Sequence, residues 1–132
     1  MKRFHLIFGL LLMIIFLLTG QYMDRYHNHL RGMADGMRML YRTRHIFILL
    51  SGLVHLGIGT YFFYRSEMWR KIFQAVGSLM ITVASALFVI AFFYEPTLAN
   101  LETPLSHRAM YLIASGTLLH LFSSVAEAPP KA

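Results

Sequence analysis

The stretch IFQAVGSLMITVASALFVIAFFY, residues 72–94, decides the fold class. It holds no Asp, Glu, Lys or Arg, and its length suits a helix crossing about 30 Å of hydrocarbon. In lipid a segment like this satisfies its own backbone only as a helix. Within it Gln74, Ser78, Thr82 and Ser85 recur at spacings of 4, 4 and 3, so they share one helix face. Small and polar residues on one face mark the side that packs against other helices in lipid.

Comparable apolar runs flank this one, from Phe4 to Met23, from Ile46 to Tyr64 and from Ala109 to Ala126. The expectation is an all-α integral membrane four-helix bundle, a single membrane domain over residues 1–132, with transmembrane helices over 4–23, 46–64, 72–94 and 109–126. Composition agrees. Of 132 residues, 57% are hydrophobic and 14% charged, against about 25% charged in soluble domains. A chain this small cannot bury so much apolar surface in its own core. That excludes an ordinary soluble enzyme domain and a disordered tail.

The formal charge is +6. The basic residues sit between apolar runs, so they read as topology signals and contacts to anionic headgroups, with no nucleic acid implied. Orientation is tied. With the N-terminus inside, Lys2, Arg3, Arg65, Arg70, Lys71 and Lys131 face Arg25, Arg31, Arg38, Arg42, Arg44 and Arg108 across the membrane. An N-terminus inside is preferred because the first helix usually dominates. The expected location is a bacterial inner membrane, multi-pass. Residues 1–20 also have signal-peptide character, but Leu18 is too large for a good cleavage site, so a retained helix is expected. No cysteine is present, which removes disulfides and thiolate chemistry.

Aromatics cluster at segment ends, Tyr61, Tyr64 and Trp69 on one side and Tyr41, Phe92, Phe93, Tyr94 and Tyr111 on the other, as interfacial belts. The short connector Arg65–Lys71 makes helices two and three antiparallel neighbours. Thr103-Pro104 reads as the start of the last helix. The tail with Pro129-Pro130 is expected to fray.

Residues 22–42 read as an additional amphipathic interfacial helix between the first two spans. Met23, Tyr26, Leu30, Met33, Met37 and Leu40 recur at spacings of 3 and 4. Gly32 and Gly36 mark a bend or a close contact in it. Three readings of the stripe compete. It lies on anionic lipid; it docks a partner protein or a second copy of the chain; or His27 and His29, with Met33, Met37 and neighbouring Met23 and Met39, supply soft ligands for copper.

Two histidines, His55 and His120, stand inside spans two and four, near the midplane on these boundaries. An intramembrane ionisable residue is a functional-site candidate. Facing each other across the bundle they are candidate axial ligands for haem b; the plainer alternative is that each only hydrogen-bonds between helices. His45 and His107 read as interfacial. Ser51-Gly52 before His55 and Ser115-Gly116 before His120 form a faint internal echo. No helix shows a buried Asp or Glu, and no HExxH, Walker A, GxSxG or GxGxxG motif occurs. The functional expectation is an accessory, assembly or interaction subunit without catalytic chemistry, with a haem electron-transfer protein and a copper-handling protein as alternatives.

Overall fold

The computed structural model describes residues 1–98 and 100–125. Among them the chain is all-helical: α1 (Lys2–His27), α2 (Asp35–Tyr61), α3 (Met68–Tyr94) and α4 (Pro104–Val125), with short 3-10 turns at Asn28–Leu30 and Glu95–Thr97. The expected fray at Pro129-Pro130 lies outside the described residues. Among the described residues two helices, taken with the turns that follow them, are long and apolar enough to cross a membrane: Lys2–Leu30 and Met68–Thr97.

The separate amphipathic helix over 22–42 does not form. α1 runs on to His27, and the chain then turns back through Asn28, His29, Leu30 and Gly32, all at positive φ. Asn and glycine take that conformation readily. Leu30, at φ 63°, pays about 1–2 kcal/mol for it. Its side chain is 4% exposed, and burying a leucine returns about 1.5–3 kcal/mol. Burial therefore outweighs the strain. The glycines divide the two roles expected of them. Gly32 makes the bend, while a Cβ on Gly36 would collide with Leu101.

The turn folds the apolar stripe onto the bundle. Leu30 and Leu40 are buried, and Met23, Met33 and Met37 pack against the core. Tyr26 alone of the six is exposed. The stripe is consumed in closing the α1–α2 hairpin and is not a free docking face.

The helices pair as two hairpins, α1–α2 and α3–α4, joined mainly through α2 and α3. Glycines set both pairings. Gly9 and Gly59 admit Leu56 and Leu6 across α1–α2. Gly77 and Gly116 bring α3 and α4 together so closely that a Cβ on either would lie 2.8 Å from the other's backbone oxygen. Small residues let helix backbones approach this closely. The apolar centre is Leu12, Ile48, Ile81, Ala84, Phe88 and Ile113. Phe92 and Tyr41, expected in a belt, belong to this core instead. Both are buried, with ring centroids 5.4 Å apart, edge to face. Tyr61, Tyr64, Trp69, Phe93, Tyr94 and Tyr111 are exposed.

Candidate functional site

Polar side chains enter the bundle in two layers. One lies at the end where α1 begins. His55 is fully buried on α2, six residues before Tyr61, and His120 is on α4, five residues before Val125. At about 1.5 Å per residue His55 is roughly 9 Å from the end of α2. His55 therefore sits toward the C-terminal end of α2, which runs over Asp35–Tyr61, and faces the start of α1.

The structure brings the two histidines together through a third. His5 of α1 is fully buried. Its Nδ1 is 2.8 Å from His55 Nδ1, and its Nε2 is 2.9 Å from Ser78 Oγ. Ser78 Oγ is 3.1 Å from His120 Nε2, and His55 Nε2 is 3.2 Å from Ser85 Oγ. Ser78 and Ser85 are the α3 face residues read from spacing. His5 was missed, standing beside Lys2 and Arg3 where a helix start at the interface is the ordinary reading.

Hydrogen-bond chemistry fixes the direction of this chain for neutral histidines. Ser85 Oγ is 2.8 Å from the Ile81 carbonyl, and a carbonyl only accepts. The Ser85 hydroxyl therefore donates there, and its oxygen accepts from His55 Nε2–H. His55 Nδ1 is then bare and accepts from His5 Nδ1–H. His5 Nε2 is bare in turn and accepts from the Ser78 hydroxyl, whose oxygen accepts from His120 Nε2–H. Every step follows from the one before, and His120 is left with Nδ1 as a lone-pair acceptor.

Axial haem ligation by His55 and His120 asks for a different arrangement. Each ligand must turn a bare ring nitrogen to one iron. Here both nitrogens of His55 are engaged, and the His5 ring packs against both partners, with centroids 4.9 Å from His55 and 5.9 Å from His120. The arrangement does not fit a bis-histidine iron without expelling His5.

The second polar layer lies about 16 Å away along α2, eleven residues before His55. Arg44 Nε donates to Glu95 Oε2 at 2.6 Å, and both side chains are buried. Glu95 also accepts from the backbone amides of Leu105 and Ser106, at 2.9 and 2.8 Å, and from Ser106 Oγ at 2.5 Å. One carboxylate thus caps the first turn of α4, where orphan amides and the helix dipole favour negative charge. Glu95 corrects the expectation that no carboxylate is buried at a helix, and Arg44 is a bundle residue, not a headgroup contact.

The remaining candidates disperse. His45 Nδ1 bonds Thr19 Oγ1 at 2.9 Å, and its ring stacks on Phe16. His107 is exposed and stacks on Tyr111. In the copper reading, His29 pairs with Asp24, His27 packs its ring on Tyr22 and Tyr41, and Met33 and Met37 pack on the core. Each has a different neighbour. Among the described residues no group of three or more His, Asp or Glu is placed to hold a metal ion.

A cavity of about 260 Å³ lies beside the histidine layer, between the C-terminal ends of α2 and α4, with His120 in its wall. Comparison with protein families, curated proteins and solved structures finds no match to this chain.

Proposed function

We propose that the chain is a four-span integral protein of a bacterial inner membrane, serving as an accessory subunit that acts through contacts and not through catalysis. The supporting observation is the inverted distribution of polarity. His5, His55, Arg44 and Glu95 are buried, while Ile7, Leu10, Ile14 and Leu17 of α1, Leu53 of α2, Leu79 and Ile90 of α3 and Leu118 and Phe122 of α4 are exposed. Water-soluble chains do the reverse with their ionisable groups, and apolar surface on every helix suits lipid or partner spans.

The polar layers serve cohesion in this reading. Each joins helices by hydrogen bonds that lipid cannot replace, and among the described residues no carboxylate is bonded to the three core histidines to activate one for chemistry. The outer face of α1 is the contact surface, taking the part first assigned to the Met23–Leu40 stripe.

The test is extraction. The protein is expected to stay with membranes washed in alkaline carbonate, and to leave them in mild detergent within a species larger than its own monomer. Release into carbonate removes the membrane reading. Migration as an isolated monomer, after cross-linking in intact membranes also gives monomer alone, removes the subunit reading.

A further inference from the structure

We infer that the cavity beside His120 is a binding site for a neutral, hydroxyl-bearing aromatic ring, such as a phenol or quinol head, which donates a hydrogen bond to His120 Nδ1. The inference is independent of whether the chain belongs to a larger assembly.

The orientation of His120 comes first. Its Nε2 lies on Ser78, and its Cδ2 would stand 3.0 Å from a Cβ on Gly77. The Nε2–Cδ2 edge therefore faces α3, and Nδ1 is on the opposite edge of the ring. His120 lines the cavity. The direction of the histidine chain makes that nitrogen an acceptor.

Two hydroxyls in the wall have the same character. Thr117 spends its hydroxyl proton on the Ile113 carbonyl at 2.7 Å, and Ser124 spends its own on the His120 carbonyl at 3.0 Å. Each keeps lone pairs and no free proton. Gln74 donates to the Phe63 carbonyl at 2.8 Å, and its oxygen takes the Arg65 amide at 3.5 Å. Thr117, Ser124 and His120 thus offer acceptors, while the Tyr61 hydroxyl and the second Gln74 N–H can donate; a hydroxyl, which donates and accepts, matches both.

Size and setting narrow the class. The cavity is open on one side, and its volume of about 260 Å³ has room for one ring, since about 150 Å³ accommodates benzene. Tyr61, Phe62 and Phe63 supply aromatic wall, suited to an offset or edge-on ring. Arg65, whose guanidinium reaches the Ser124 carbonyl at 3.5 Å, disfavours a cationic ligand by like charge. What remains is a neutral ring with a hydroxyl.

The experiment uses the full chain in lipid nanodiscs with 4-hexylphenol as probe, and its methyl ether, 4-hexylanisole, as the matched ring without a donor. Nitrogen-15 spectra of labelled histidine follow His120, assigned by His120→Gln. The expected results are a bare Nδ1 on His120 in the free protein, a saturable upfield shift of that nitrogen with the phenol, and binding about tenfold weaker for the ether, the loss of one useful hydrogen bond. Gly57 lines the cavity and a Cβ there meets nothing within 4 Å, so Gly57→Leu fills the site without a clash and is expected to abolish the shift in a folded protein. This variant keeps the test open should His120→Gln fail to fold. A protonated Nδ1 in the free protein, equal binding of phenol and ether, or binding that survives Gly57→Leu each overturns the inference.

Discussion

Glu95→Ala is expected to leave little folded protein in detergent. Glu95 is fully buried, faces Arg44 at 2.6 Å and holds the first-turn amides of α4. Removing one partner of a buried ion pair costs about 3–5 kcal/mol, because the other charge stays behind unpaired. Loss of a helix cap adds about 1 kcal/mol. Total stabilities are about 5–15 kcal/mol, so the sum is a large share of the whole. Three further variants separate the causes. Glu95→Gln keeps acceptor capacity for the amides but loses the charge, and is expected to fall between wild type and alanine. Arg44→Met alone strands the carboxylate and should be severe. The double variant Arg44→Met with Glu95→Gln removes both charges and should recover much of the loss. Thermal denaturation followed by size-exclusion chromatography reads all four. An alanine variant melting within a few degrees of wild type would mean that the pair is not structural.

Gly77→Leu is the second large effect, and it acts where α3 packs on α4. A Cβ on Gly77 would lie 2.8 Å from the Gly116 backbone oxygen and 3.0 Å from His120 Cδ2. The nearest obstacle is main chain, which cannot rotate aside, so the helices must separate. Gly77→Ala is expected to cost about 1–3 kcal/mol, the range for overpacking, and leucine should prevent α3 and α4 from pairing. Separation also stretches the 3.1 Å bond from His120 to Ser78, so the alanine variant should alter the His120 nitrogen-15 signals while those of exposed His107 hold still. Gly57→Leu, at a glycine with open space around it, is the control that should fold. Equal stability for Gly77→Leu and wild type would contradict the α3–α4 packing.

The residues that told the fold most clearly were those at helical spacing in the apolar runs. Gln74, Ser78, Thr82 and Ser85 read as an inward face from a 4, 4, 3 pattern; Gln74, Ser78 and Ser85 are buried and Thr82 is half-buried. His55 and His120 stand out in the sequence as the ionisable groups inside the second and fourth apolar runs, and both join the core network. Periodicity gave no account of register between helices, and His5 shows why. Its partner is fifty residues away, set by the glycine contacts of α1 with α2 and not by its neighbours in sequence. The turn at 28–34 was hidden because a stripe at spacings of 3 and 4 continues through it. Asn28 and Gly32 were the available signals for the break.

Arg44 and Glu95 were legible in principle. Arg44 stands just before the second apolar run and Glu95 just after the third. In an antiparallel pair those positions fall at the same end of the bundle. Counting Arg44 only as a topology signal concealed the pairing. The aromatic residues divided in the same way. Segment ends located Tyr61, Tyr64 and Trp69 at an exposed margin, but position alone could not separate exposed Phe93 from buried Phe92.

The central claim is that all four helices cross the membrane, and the absence of native cysteine allows a direct test. Single cysteines at Lys2, Arg31, Ser66 and Glu102, each at an exposed position, are labelled in intact cells and in inverted vesicles with a membrane-impermeant maleimide. The account predicts that Lys2→Cys and Ser66→Cys react from one side, and Arg31→Cys and Glu102→Cys from the other. Labelling of Arg31→Cys and Ser66→Cys from the same side would contradict it, since α2 would then not span.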